Sequence, residues 1–272
     1  MIDFSGIRLI AADMDGTLLN SKHEYDKGFP ALYDHLKTKG VFFAPASGRQ
    51  LYNLQNTFGE LGSDMIFIAE NGSHVQYQGR DLFVQSLPMD QVPELIRMAR
   101  GITGVNIILC GKKQAYLESR EPEFLRHVEM YYDRRVFVDD LLAVEEDDFL
   151  KIAICDLSGA EANSYPVFRH LEGELQVKVS GKIWLDLSHQ LANKGRALQA
   201  VQQQLNISVE ECMAFGDYLN DVEMMKQAYF SYAMTNAHPE VKKAARFETR
   251  SNEENGVGEV MQKVAEAIDR IR

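Results

Sequence analysis

The segment Ile7-Arg8-Leu9-Ile10-Ala11-Ala12-Asp13-Met14-Asp15-Gly16-Thr17-Leu18-Leu19 passes from an apolar run straight into two carboxylates and a glycine. A short apolar run that ends in turn chemistry predicts a strand over 7–12, buried on both faces. Carboxylates two positions apart at its end can both reach one sheet edge. Gly16 lets the backbone turn there, which leaves N–H groups able to meet a phosphate oxygen. In that setting Asp13 can attack phosphorus, and Asp15 can protonate the leaving oxygen and later activate water. The competing reading is a Ca²⁺ loop. Glu24 falls at the twelfth position counted from Asp13, but Leu18 stands where such a loop needs glycine, and a strand precedes it where a helix is required.

Outward from this segment the pattern repeats. A helical stretch over 27–39 closes on Gly40, and a second apolar strand over 41–46 ends in Ser47-Gly48-Arg49. A helix over 50–58 and a third strand over 65–69, ending in Glu70-Asn71-Gly72, follow. Late in the chain the rhythm returns with a helix over 194–205, a strand over 212–216 ending in Gly216-Asp217, a helix over 221–228, a strand over 229–234 and a last helix over 255–271. Strands alternating with helices across short turns predict an α/β fold with a parallel sheet, whose ligand edge lies at the C-terminal ends of the strands.

Between the two stretches the pattern changes. Residues 73–77 and 82–85 flank Gln78-Gly79-Arg80 as a hairpin. Beyond it, helical segments (90–100, 121–130, 159–172) interleave with strand-like runs (105–109, 114–118, 151–156, 175–180), and no paired carboxylates stand at the strand ends. This predicts an α+β unit over 88–184, inserted into an α/β core made of 1–87 and 185–272.

Composition narrows the function. The chain has 272 residues, 45% apolar and 25% charged, with a formal net charge of −11. That length accommodates two domains. Nucleic-acid binders carry a basic surplus or stripe, and no Lys/Arg cluster stands out here, so no nucleic-acid partner is expected. An acidic enzyme that binds an anion needs a metal ion, a helix N-terminus or a well-placed Lys or Arg. Cys110, Cys155 and Cys212 are odd in number, form no C-x-x-C and border apolar stretches, which fits packing thiols of a reducing compartment. The N-terminus lacks the basic region and long apolar stretch of a signal peptide, and no run approaches the roughly 18 apolar residues of a membrane span. A cytoplasmic protein without membrane contact is expected.

Further polar groups fall at the predicted ligand edge. Ser47 followed by Gly48 can hold a phosphate oxygen through hydroxyl and backbone donors together. Lys194, in Ala192-Asn193-Lys194-Gly195 at a helix start, can neutralise a phosphate that the acidic chain repels. Asp217, Asn220 and Asp221 form Gly-Asp-Tyr-Leu-Asn-Asp between a strand and a helix. Each feature alone also suits an ordinary turn, a solvated lysine or a helix cap. Tyr131, Tyr132 and Trp184 could stack on a sugar or a base but fit packing better, the seven histidines show no metal-site spacing, and the acidic run 145–148 fits a solvated turn.

In the order Asp-x-Asp-Gly-Thr-Leu, Ser-Gly-Arg, Asn-Lys-Gly and Gly-Asp-x-x-Asn-Asp, the sequence resembles the haloacid dehalogenase-like (HAD) hydrolase superfamily, and within it the Cof-type sugar phosphatases. The likeness covers all four motifs and the whole α/β stretch. It implies a Rossmann-like core and a Mg²⁺-dependent phosphatase of small phosphorylated metabolites. Residue by residue, it implies Asp13 as nucleophile and metal ligand, and Asp15 as general acid and base that lends its backbone carbonyl to the metal. Ser47, Gly48 and Lys194 would hold phosphate, with Asn220 touching it. Asp217 would ligate Mg²⁺ directly and Asp221 through water, and Asn236 resembles a further position near the site. Met14 and Ser47 replace the more usual Leu and Thr, which removes no needed group.

Only 32 residues separate Asp15 from Ser47, whereas 147 separate Ser47 from Lys194, so the insertion lies between the second and third motifs. That place, and its mix of helices and strands, resembles the C2-type cap of subfamily IIB, which implies that substrate choice resides in 88–184. A phosphotransferase or phosphomutase on the same scaffold is the alternative activity. A non-catalytic binding or regulatory protein is the alternative without one; the retained catalytic residue types weigh against it.

Overall fold

The computed structural model describes residues 3–271. Two compact units make up the chain. One comprises Met1–Gly48, Thr57–Phe83 and Asn193–Arg272, the other Arg49–Asn56 and Val84–Ala192. In chain order the N-terminal part supplies β1 (Leu9–Asp13), α1 (Phe29–Thr38), β2 (Phe42–Ala46), α2 (Leu51–Phe58), β3 (Ile66–Ala69), β4 (His74–Tyr77) and β5 (Arg80–Val84). The middle supplies α3 (Val92–Arg100), β6 (Val105–Gly111), β7 (Ala115–Leu117), α4 (Pro122–Glu129), β8 (Arg135–Phe137), β9 (Phe149–Asp156), α5 (Tyr165–Phe168), β10 (Leu175–Gly181) and β11 (Trp184–His189). The chain then returns through α6 (Lys194–Leu205), β12 (Cys212–Gly216), α7 (Val222–Gln227), β13 (Phe230–Met234), α8 (Pro239–Ala244), β14 (Phe247–Thr249) and α9 (Gly256–Asp269).

In the first unit one sheet has the order β14-β13-β12-β1-β2-β3-β4-β5. The six strands from β14 to β3 are parallel, and β4 turns back antiparallel on β3. The central strands read Leu-Ile-Ala-Ala-Asp and Cys-Met-Ala-Phe-Gly with every residue buried. Near-continuous apolar composition is what a strand covered on both faces requires. α1 contributes Phe29, Tyr33 and Leu36 to this core, and the Phe29 ring meets Phe43 edge-on at 5.2 Å. α9 buries Val257, Val260, Met261, Val264 and Ile268, a helical stripe in which each side chain contributes roughly 1.5–3 kcal/mol when fully buried.

The second unit is a six-stranded sheet of order β10-β11-β9-β6-β7-β8, antiparallel apart from the β7–β8 pair. Alternation splits its side chains between two cores. Ile107, Leu109, Ile152, Ile154, Leu185 and Leu187 pack with α3, whereas Ile108, Cys110, Ala153 and Cys155 pack with Phe124 and Val128 of α4. Residues 49–56 cluster here through polar side chains. Gln50 donates to the Arg134 carbonyl at 2.8 Å and accepts from its N–H at 2.9 Å, while Asn53 and Asn56 donate to the two oxygens of Asp133 at 2.9 and 2.6 Å.

Several elements differ from the sequence expectation. The expected helix over 159–172 shrinks to α5 and one 3₁₀ turn, because Gly159 takes φ 116° in a turn whose N–H groups close on Asp156. Arg80 belongs to β5, leaving a two-residue turn at Gln78-Gly79. β8, β11, α8 and β14 were not expected. β11 pairs with both β9 and β10, so the inserted unit runs past 184 to Ala192.

Candidate active site

Asp13 ends β1, and the chain turns at once: Leu18 N–H donates to the Asp13 carbonyl at 3.1 Å and Leu19 N–H to the Met14 carbonyl at 2.8 Å. Gly16 makes that turn with φ +85°, and a Cβ there would lie 2.5 Å from Asp217 Oδ2. The turn therefore brings the first motif against the loop after β12. Thr17, buried, completes the contact by donating its hydroxyl to Asp217 Oδ1 at 2.8 Å.

Lys194 enters from the start of α6. Asn193 caps that helix, accepting the Arg196 N–H at 2.8 Å. Gly72, at φ +94°, lets the turn after β3 approach so closely that a Cβ would lie 2.8 Å from Lys194 N. The Lys194 ammonium is fully buried and donates to Asp13 Oδ1 and, at 2.7 Å, to Asp221 Oδ1. The other Asp221 oxygen accepts the N–H groups of Asp217 and Tyr218 at 3.0 and 3.1 Å. Asp221 is thus a strut that orients both the ammonium and the Asp217 loop.

Asp13, Asp217 and Asp221 each offer an oxygen within 4.8 Å of the others, a set able to hold a metal ion. Three carboxylates against one ammonium leave two formal negative charges without a partner in this group. Burial pushes Asp13 well above the usual carboxylate range, Lys194 opposing and Asp221 and Asp217 adding to the rise. Burial likewise raises Asp217, to about 6, against the Thr17 hydrogen bond. Burial alone would lower Lys194, but Asp13 and Asp221 outweigh it and hold the ammonium charged. A divalent cation balances this donor set in both charge and hard-oxygen chemistry, so the residues fit one.

The remaining candidates lie at the same sheet edge. Ser47 follows β2, buried, its N–H bonded to the Ile68 carbonyl at 2.9 Å and its carbonyl accepting Asn71 N–H at 2.9 Å. Beside it, a Cβ on Gly48 would meet the Asn71 amide at 3.1 Å. Asn220 Nδ2 donates to Asn71 Oδ1 at 3.0 Å, and Asn236 Nδ2 donates to the Gly16 carbonyl at 2.8 Å. The Asp15 side chain stands outside the three-carboxylate group and meets His23, Oδ1 to Nδ1 at 3.0 Å. Thr17, His23 and Asn71 were not singled out from sequence. Asn71 carried the one usable signal, a polar residue at the end of a buried parallel strand.

Comparison with known proteins places this geometry. A family model described as haloacid dehalogenase-like hydrolase matches residues 10–261. The 5-amino-6-(5-phospho-D-ribitylamino)uracil phosphatase YbjI of Escherichia coli (strain K12) is 35% identical over 261 residues, 95% of this chain and 96% of its own. The crystal structure of SMU.1108c from Streptococcus mutans UA159 superposes with a TM-score of 0.85 at 28% identity, covering 94% of this chain and 98% of the other. The HAD subclass IIB sugar phosphatase BT4131 shares the fold at a TM-score of 0.81 and 19% identity, over 94% of this chain and 98% of its own. Among the described residues, no helix is long and apolar enough to cross a membrane.

Proposed function

This chain belongs to the haloacid dehalogenase-like hydrolases, and on that premise we propose that it hydrolyses phosphomonoesters of small metabolites, sugar phosphates foremost, with Asp13 as the nucleophile. One observation carries the reading: the Asp13 carboxylate, the Lys194 ammonium and the Asp217–Asp221 loop, far apart in the chain, converge at one parallel-sheet edge.

In the first half-reaction an Asp13 oxygen bonds to phosphorus as the bond to the leaving oxygen breaks, and Asp15 gives that oxygen its proton. In the second, Asp15 takes a proton from water as the water oxygen bonds to phosphorus and phosphate leaves Asp13. Lys194, Ser47, Gly48 and Asn220 hold the phosphoryl oxygens. Mg²⁺ is the cation the donor set suits; Asp13, Asp217 and the Asp15 carbonyl would hold it, Asp221 acting through water, and when bound it offsets repulsion between carboxylate and phosphate. The inserted unit, Val84–Ala192, selects the substrate. The relative named as a phosphatase of a ribitylamino-uracil phosphate supports a polyhydroxylated phosphate ester as the class. Three buried free thiols support a cytoplasmic setting.

The test is a panel of phosphorylated metabolites assayed with and without Mg²⁺, with product analysis and an acid-quench search for phosphorylated Asp13. Phosphate release that requires Mg²⁺ and vanishes in Asp13→Asn supports the reading. An isomerised sugar phosphate without phosphate release, or turnover that survives Asp13→Asn, overturns it.

A further inference from the structure

We infer that His23 is a positioning residue for Asp15: its imidazole holds one oxygen of the Asp15 carboxyl and so orients the group for proton transfer. The inference deepens the acid–base role proposed above and rests on it.

His23 Nδ1 lies 3.0 Å from Asp15 Oδ1. Neither side chain is buried, with 53% and 38% exposure, so packing does not force the ring toward the carboxyl. The backbone aims it there. His23 takes φ +60°, in the left-handed region that few non-glycine residues occupy, although histidine enters it more often than most. A dense set of bonds enforces that conformation. Asn20 Oδ1 accepts the N–H groups of Lys22 and Glu24 at 2.9 and 3.1 Å, His23 N–H donates to the Asn20 carbonyl at 2.9 Å, and Asn20 N–H donates to the Glu24 carbonyl at 3.0 Å. The loop is also tied from outside: Asn252 Nδ2 donates to the Leu19 carbonyl at 2.9 Å and Ser21 N–H to Glu253 Oε1 at 2.6 Å. Disfavoured backbone persists where surrounding structure over-determines it, and such places cluster at functional sites.

The chemistry explains why Asp15 needs a holder. With the carboxyl oriented by the ring, its proton passes to the leaving oxygen as the bond of that oxygen to phosphorus breaks and the Asp13–phosphorus bond forms. The carboxylate then takes the proton of water as that water bonds to phosphorus and the Asp13–phosphorus bond breaks. His23 exchanges no proton with substrate; it limits rotation of the carboxyl, and misplacement of a catalytic group by about 1 Å costs up to roughly 10²-fold.

A leaving-group comparison separates positioning from a merely structural role. An alkyl phosphate such as ribose 5-phosphate needs its leaving oxygen protonated, whereas p-nitrophenolate departs without a proton. Because kcat/KM covers only the steps through the first phosphoryl transfer, it isolates the acid step. His23→Ala is expected to lower kcat/KM for ribose 5-phosphate about 10- to 100-fold and for p-nitrophenyl phosphate about threefold or less. His23→Gly removes the ring while relieving the left-handed backbone, so it keeps the loop folded and gives the same asymmetry. His23→Asn, which tolerates the left-handed region and keeps an N–H donor, restores most of the lost rate. In an Asp15→Asn background, His23→Ala has no further effect. Equal losses on both substrates in His23→Gly, or no loss on ribose 5-phosphate, overturn the inference while the phosphatase reading stands. If Asp15→Asn itself shows no leaving-group asymmetry, the acid role of Asp15 fails and the inference falls with it.

Discussion

Lys194 stands 181 residues beyond Asp13 in the chain, yet its ammonium donates to the Asp13 carboxylate and, through a second hydrogen bond, to Asp221. The ion cluster is therefore a structural joint as well as a candidate phosphate site, since it ties the start of α6 to the ends of β1 and β12. A buried charge is tolerated only when paired and hydrogen-bonded.

Removing that ammonium leaves two buried carboxylates facing each other. Lys194→Met is expected to destabilise the metal-free protein by about 3–5 kcal/mol, the usual cost of breaking one side of a buried pair, and to abolish turnover. Urea denaturation without metal measures the first effect. A loss below about 1 kcal/mol would show that the three carboxylates do not depend on Lys194.

Asp13→Asn separates chemistry from architecture. The amide oxygen can still accept from Lys194, so stability changes little, while the proposed nucleophile is gone. Turnover is expected to fall by about 10³-fold or more, and no phosphorylated protein is trapped on acid quench. Activity within tenfold of the parent would remove Asp13 from the reaction.

The ends of β1 and β12 and the start of α6 were legible because local pattern encodes them: apolar runs stop abruptly at Asp13 and Gly216-Asp217, and Asn193 announces a helix. What was not legible depends on partners far along the chain. β11 was missed because its alternation of Leu185 and Leu187 with Asp186 and Ser188 spans only four residues and Asp186 reads as a solvated loop residue; in the fold Asp186 is buried and Lys151, 35 residues earlier on β9, pairs with it at 3.4 Å. The grouping of 49–56 with the inserted unit rests on side-chain bonds such as Gln50 to Arg134, which no periodicity records. His23 was passed over with the other histidines because they lack metal-site spacing, and its approach to Asp15 follows from a left-handed backbone that no composition signals.

Gly16→Ala tests the close approach of the first and last motifs. The substitution puts a Cβ 2.5 Å from Asp217 Oδ2 on backbone at φ +85°, so the turn or the Asp217 carboxylate must move. The variant should fold, since the strain is local, but should bind divalent metal at least about tenfold more weakly, in line with displacement of a ligand or its support. Isothermal titration with Mg²⁺ or Mn²⁺ measures it, and unchanged affinity would mean that Asp217 takes no part in holding the ion.

The pH dependence of the metal-free protein follows from Asp217. Burial raises it to about 6, with the Thr17 hydroxyl opposing, whereas an aspartate in the unfolded chain titrates near ~3.9. Between those values the folded protein binds a proton that the unfolded chain has released. This group's contribution to stability is therefore present at about pH 4 and is lost as pH rises through about 6. Buried Asp13, shifted in the same direction, adds to the trend. A divalent ion competes with those protons, because its ligands must be ionised. Metal affinity should thus climb as pH rises from 5 to 7, and binding should release protons over that range. Calorimetry in buffers of different ionisation enthalpy counts those protons. Asp217→Asn, compared with the parent protein, should remove the Asp217 part of the stability slope without metal and weaken metal binding at every pH. Affinity that stays level between pH 5 and 7, with no proton release, would separate the ion from the carboxylates at the end of β1 and β12.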